Sequence, residues 1–192
     1  MSLSPSDFFI IASIIQGFSI GLAILYAPFF RSKTNNYLAG FILTLSGMTF
    51  LGWQEFDLFW PDYIWSLMWE FLIPVFLFQY FLRVLAHRFL RAVWLPWLYF
   101  PFIFFLAIDL VFDLDFSFDL YKLPFKESHP VYDGYDSFLD SLALWWNAFL
   151  VLWMLRISRD DNQAPHERRR WLLRFGAAML ATIAVRLLSD IV

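Results

Sequence analysis

Apolar residues run along this chain in six long blocks, and polar residues collect in the gaps between them. The blocks fall at residues 8–30, 37–53, 63–82, 93–112, 137–155 and 171–192. Each is close to the ~20 apolar residues that a helix needs to cross ~30 Å of hydrocarbon. None alternates with period two, as a membrane β-strand would, so helices are expected rather than a barrel. The expected fold is therefore all-α: a single polytopic transmembrane helix bundle over residues 1–192, with about six transmembrane helices. Ser6 stands where the first helix would take its N-cap, and Thr34-Asn35-Asn36 reads as a turn before the second. The first block is not a signal peptide by its pattern: no Lys or Arg precedes it, and its apolar run is longer than an h-region.

The gaps alternate in sign, which adds a direction. Arg31 and Lys33 follow block one; Glu55, Asp57 and Asp62 follow block two; Arg83, Arg88 and Arg91, with His87, follow block three. The fourth gap is acidic, with Asp113, Asp115, Asp119, Glu127, Asp133 and Asp136 against Lys122 and Lys126. The fifth holds Arg156, Arg159, Arg168, Arg169 and Arg170. Lys and Arg mark the untranslocated side, so the N-terminus is expected outside and the basic loops in the cytoplasm. Aromatic residues gather at both block ends, where the headgroup level favours Trp and Tyr. Trp53, Trp60, Tyr63, Trp65 and Trp69 fall on the outer side, and Trp94, Trp97, Trp153 and Trp171 on the inner side.

Composition makes the same case. The chain of 192 residues is 60% hydrophobic, 22% aromatic and only 16% charged, with mean hydropathy +0.59. A soluble domain is about half apolar and a quarter charged. The net charge of −3 hides the segregation of signs. There is no cysteine, which excludes disulfides, thiolate metal sites and a Cys nucleophile. His166-Glu167 is followed by arginines, not by the second half of a zinc-protease motif. His87 and His166 fall on the inner side and His129 on the outer, so no histidine metal site is expected. No phosphate-binding glycine loop or GxSxG occurs. The expectation is no enzyme, no catalytic residue, no metal and no cofactor. The basic stretch 156–170 lies at the membrane, where anionic lipid is a better partner than nucleic acid.

Charges inside spans are costly and tend to pair or to face water. Glu70, Asp109, Asp140 and Arg186 all fall in the outer half: by helix rise, Glu70 ~12 Å, Asp140 ~5 Å, and Asp109 and Arg186 ~5–9 Å from the outer end. The expected arrangement is a polar cluster. Its centre is a buried Glu70–Arg186 bridge fixing helix 3 to helix 6, because a guanidinium holds a carboxylate well. The alternative is an outward-open cavity for a polar ligand or cation. Arg174 is expected to snorkel to the inner surface. Gln16, Gln79 and Asn147 are expected to hydrogen bond between helices. Ser13, Gly17 and Gly21 form a small-residue face for close packing within one chain or between two. Pro74, Pro96 and Pro101 lack backbone N–H donors and can bend helices 3 and 4, with Pro74 and Pro101 as hinge candidates.

One stretch resembles a known family. Ile14-Ile15-Gln16-Gly17-Phe18, Ala27-Pro28-Phe29-Phe30 and Asn35-Asn36-Tyr37-Leu38-Ala39, followed by Glu70 to Tyr80 with Ile73-Pro74-Val75, look like the membrane-embedded N-terminal region of Bacteroidetes AraC-type helix-turn-helix transcriptional regulators. The likeness covers roughly residues 8–112 and consists of helix ends and small motifs. It implies about seven helices, a bacterial inner membrane, and a sensor or input domain for an envelope-side or membrane signal. This sequence lacks the seventh helix and the DNA-binding domain, so direct nucleic-acid binding is not expected. Two other functions fit the pattern. A small transporter or channel subunit would need a polar path past Gln79 and Asn147. An assembly or scaffold protein would bind a second copy or another membrane protein through the face of helix 1.

Overall fold

The computed structural model describes residues 5–30, 32–53, 69–118, 120–121, 130–160 and 166–189. The described residues are 93% helical, with no strand among them. Six α-helices follow in chain order: α1 (Pro5–Tyr26), α2 (Lys33–Trp53), α3 (Trp69–Val84), α4 (Phe100–Phe118), α5 (Pro130–Asp160) and α6 (His166–Ser189). Short 3₁₀ turns occupy Pro28–Phe30, Arg88–Arg91 and Leu95–Tyr99. Four helical segments are long and apolar enough to cross a membrane: Ser6–Tyr26, Leu95–Phe112, Pro130–Asp160 and Glu167–Leu188. Polar residues along α2 (Thr34, Asn35, Asn36, Thr44, Ser46 and Thr49) lower its hydropathy, and the described part of α3 has 16 residues.

Several boundaries differ from expectation for local reasons. Ser6 lies inside α1, whose first residue is Pro5, a residue suited to a first helical position because its missing N–H is not needed there. Thr34-Asn35-Asn36 is not a turn but the first turn of α2. Ser32 caps it, its Oγ accepting from the Asn35 N–H at 3.1 Å, while Asn35 Nδ2 donates back to the Phe30 carbonyl at 2.7 Å. The expected helix 4 is split: its first part is the 3₁₀ turn Leu95–Tyr99, and α4 begins at Phe100. Pro101 therefore sits at a helix start, where its ring costs no internal hydrogen bond, and not at a mid-helix bend. α5 has 31 residues, ~45 Å at helical rise, which is longer than the ~30 Å that a membrane span requires. Arg168, Arg169 and Arg170 belong to the first turns of α6 rather than to a loop, and the Arg169 guanidinium donates to the Arg159 carbonyl near the end of α5. Residues 63–68, Trp60, and residues 190–192 lie outside the described residues.

α3 is the centre of the bundle. It packs against α2 on one side and α5 on another, with α1 outside α2 and α6 against α5. Its residues Phe71 to Val75, Leu77 to Gln79, Phe81 and Leu82 are all buried, as befits a helix apolar on every face. α4 touches α3 through a stacked Phe71–Phe105 pair at 5.3 Å, and α5 through Phe112 set edge-on to Tyr132 and Tyr135. α6 reaches over the seam, where Phe175 meets both Phe41 and Phe81. Trp94 and Trp153, expected at the inner interface, stack on each other at 5.1 Å, while Trp97 and Trp171 face outward.

Outward-facing apolar residues run along the outer helices: Phe9 and Ile15 on α1, Ile103 and Leu110 on α4, Trp145 and Leu152 on α5, Val185 and Leu188 on α6. Water would penalise this surface heavily; hydrocarbon would not. In hydrocarbon, dehydration gives no net pull between helices, and close packing must hold them together. The glycines do this. A Cβ on Gly17 would stand 2.0 Å from Ser46 Oγ and 3.1 Å from its Cβ, and one on Gly21 would stand 2.6 Å from the Leu43 side chain. The Ser13-Gly17-Gly21 face is thus directed at α2 of the same chain at its two glycines, while Ser13 bonds within α1, to the Phe9 carbonyl at 2.8 Å. Gly40 against Phe76 and Gly176 against Leu155 repeat the device at α2–α3 and α5–α6, two contacts that the sequence pattern did not reveal.

α3 ends in a Schellman turn: the His87 N–H donates to the Leu82 carbonyl at 2.9 Å and the Ala86 N–H to the Arg83 carbonyl at 3.1 Å. Ala86 closes it at φ 50°, a left-handed conformation that costs a non-glycine residue about 1 kcal/mol.

Two outcomes follow for thermal unfolding in detergent. Gly17→Leu should lower the Tm, with a cost of about 1–3 kcal/mol from overpacking, whereas Gly47→Ala, where a Cβ meets nothing within 4 Å, should leave it unchanged or slightly raised. Ala86→Gly should raise stability by about 0.5–1 kcal/mol; a fall in Tm would show that the turn is not strained.

Candidate functional site

The residues with chemistry to explain are those charged or polar within apolar segments. Glu70 occupies the second position of α3 as described, and Pro74 lies four residues further on. In an α-helix the carbonyl of residue i accepts from the N–H of residue i+4. Pro74 has no N–H, so the Glu70 carbonyl has no partner in its own helix. Asn147 of α5 supplies one: its Nδ2 donates to the Glu70 carbonyl at 3.1 Å and to the Ala143 carbonyl at 2.9 Å. The Glu70 side chain turns to α6, where Arg186 Nη1 donates to Oε1 at 3.1 Å. One residue thus joins three helices, through its main chain to α5 and through its carboxylate to α6.

The pairing of Glu70 with Arg186 across helices 3 and 6 agrees with expectation; its burial does not. The Glu70 side chain is 24% exposed and that of Arg186 47%, because Arg186 lies on the outward side of α6, between Val185 and Leu187. The bridge stands at the edge of the bundle, open on one side. Asp109 is almost fully buried on α4, next to Tyr135 of α5. Asp140 faces outward on α5. The observed ion pair therefore joins two of the four expected cluster residues, and Asn147 is a member that the cluster lacked. The signal for it was present: a proline inside an apolar span leaves a carbonyl to satisfy, and an amide in another span is the natural donor.

Of the other polar residues, Gln79 is buried and its Nε2 donates to the Tyr99 hydroxyl at 3.0 Å, tying α3 to the 3₁₀ turn before α4. Gln16 does not bond between helices; it faces outward on α1 and has no hydrogen-bond partner among the described residues. Trp53 Nε1 donates to the Asp7 carboxylate at 3.3 Å, joining the end of α2 to the start of α1. Arg174 faces outward on α6. Among the described residues no group of His, Asp and Glu is arranged to hold a metal ion.

Comparison of the chain with protein-family models, with curated proteins and with solved structures gave no match.

Asn147→Leu should cost about 1–3 kcal/mol, the desolvation penalty of the carbonyl left without a donor. Glu70→Gln, which keeps that carbonyl and its amide partner, should cost about 1 kcal/mol or less, as half-open ion pairs do. Thermal unfolding of the two variants checks the order; a Glu70→Gln loss larger than that of Asn147→Leu would make the carboxylate, and not the main-chain carbonyl, the stronger tie.

Proposed function

We propose that this chain is a membrane sensor or input module, six-span with its N-terminus outside and its basic segments in the cytoplasm of a bacterial inner membrane. In this reading it detects an envelope-side or membrane signal and belongs to the regulator-like proteins that its first half resembles. The observation that carries the proposal is the Glu70 node. A half-open ion pair links α6 to α3, the central helix of the bundle. A contact of this kind has two accessible arrangements, closed as observed or opened by a ligand or ion that competes for either partner, and a bistable contact is what a sensor needs.

Two features weigh against the alternatives. Gln79 and Asn147, which a transport path would expose, both direct their hydrogen bonds to protein atoms, and the α3 residues Phe71 to Val75, Leu77 and Phe78 between their contact points are buried. The small-residue face of α1, which an assembly role would offer to a partner, is taken up by α2 at Gly17 and Gly21.

The chain has no cysteine, so single and paired cysteines can be introduced without background. A membrane-impermeant maleimide added to intact cells should label a cysteine at His129 and spare those at Ser32 and His87. Spin labels at Arg88 and Arg174, both outward-facing, should give a distance distribution that shifts or broadens in Arg186→Gln and in Glu70→Gln, with no further change in the double variant. An identical distribution in all four proteins would remove the sensing role, and the reverse labelling pattern would remove the topology.

A further inference from the structure

At the opposite end of α3 from Glu70, a cavity of about 580 Å³ opens between the first turn of α2, the last turn of α3 and the first turns of α6. Thr34, Tyr80, Arg83, Val84, Arg168 and Trp171 line it, together with Glu167. Arg83 is its unusual member. Its guanidinium lies 4.6 Å from the centre of the Tyr37 ring, and Nη2 donates to the Tyr37 hydroxyl at 3.3 Å. Its Nε is shielded from solvent and has no acceptor. Among the described residues no carboxylate pairs with it. A half-buried guanidinium cannot shed its charge, so an arrangement that holds it in place without an anion is incomplete.

The surroundings specify the missing anion. Arg168 adds a second guanidinium to the cavity wall, and the N-termini of α2 and α6, both at the cavity, add the positive ends of two helix dipoles. Trp171, Tyr80 and Val84 give the wall an apolar side. The cavity lies at the first turn of α6, where the apolar segment Glu167–Leu188 begins, which is the depth at which headgroups meet acyl chains. Glu167 adds one acceptor among the cations. We infer that this cavity binds the headgroup of a membrane phospholipid: Arg83 and Arg168 hold its phosphodiester, Glu167 accepts from the hydroxyl or ammonium that follows it, and an acyl chain lies along Val84 and Trp171. The inference rests on the membrane reading above.

The test is thermal unfolding of the full chain in uncharged detergent with added lipid, with retained lipid read by native mass spectrometry. Phosphatidylglycerol or phosphatidylethanolamine should raise the Tm of the wild type by roughly 5 °C at saturation. Phosphatidylcholine, which has the phosphodiester but no donor beyond it, should raise it less. Arg83→Gln should abolish the shift, and Arg168→Gln, at an outward-facing position, should reduce it. Arg156→Gln, a basic residue outside the cavity, should keep it. A full shift in both Arg83→Gln and Arg168→Gln, or an equal shift with phosphatidylcholine, would overturn the assignment. So would an equal shift with inorganic phosphate, which would make the ligand a soluble anion. A protein that needs detergent yet ignores every lipid would refute this site alone, whereas a protein soluble without detergent would refute the membrane reading.

Discussion

Hydrocarbon neither donates nor accepts a hydrogen bond, and most of the organisation of this bundle follows from that constraint. A backbone carbonyl left open in water costs little; the same carbonyl among apolar helices must find a donor in the protein. Pro74 opens one such carbonyl at Glu70, and Asn147 closes it. Because the donor comes from α5, a local defect in α3 becomes a fixed register between two helices. The same logic accounts for the Schellman turn that satisfies the carbonyls at the far end of α3, and for Gln79, whose amide meets the Tyr99 hydroxyl inside the core.

The second consequence concerns attraction. With lipid as apolar as leucine, helices gain from touching only where they fit better to each other than to acyl chains. Gly17 and Gly21 of α1 and Gly176 of α6 each admit a neighbouring side chain where a Cβ would collide, and Gly40 of α2 leaves Phe76 only a close fit; aromatic rings fill the wider gaps, as Phe175 does between Phe41 and Phe81. Fit of this kind is sensitive to single atoms, so glycine positions weigh more here than the large apolar residues that dominate the composition.

How much of this was legible in the sequence depended on range. The helical character of the chain was plain, because an apolar block some twenty residues long without alternation admits few other structures in lipid. The Glu70–Arg186 pair was legible too, since the alternation of basic and acidic gaps implied similar depths for the two residues and opposite charges at one depth seek each other. The break between Tyr99 and Phe100 was hidden, because a 3₁₀ turn and an α-helix share the same apolar composition, and the start of α2 was mistaken because Asn and Ser serve both turns and helix caps. The exposure of Arg186 was beyond reach: depth along a helix follows from counting residues, but the direction a side chain faces depends on how neighbouring helices are arranged. The same limit hid which helix the Gly17–Gly21 face would meet.

α3 and α6 run antiparallel, and this joins the two sites. Glu70 meets Arg186 at one end, Phe81 meets Phe175 further along, and Arg83 and Arg168 line one cavity at the other. Loss of the ion pair would weaken the hold of α6 on α3 at this end while Phe175 stays against Phe81 and α6 stays packed on α5, which favours a tilt of α6 about Phe175. A tilt at one end displaces Arg168 at the other, because a helix of this length moves as a rigid rod. Lipid bound between Arg83 and Arg168 would oppose that tilt, and by the reciprocity of linkage an open ion pair would weaken the lipid. The proposed outer signal and the proposed inner lipid would thus act on one mechanical element, the α3–α6 pair, and the sign of their coupling follows from geometry: whatever opens the Glu70–Arg186 contact should release the headgroup.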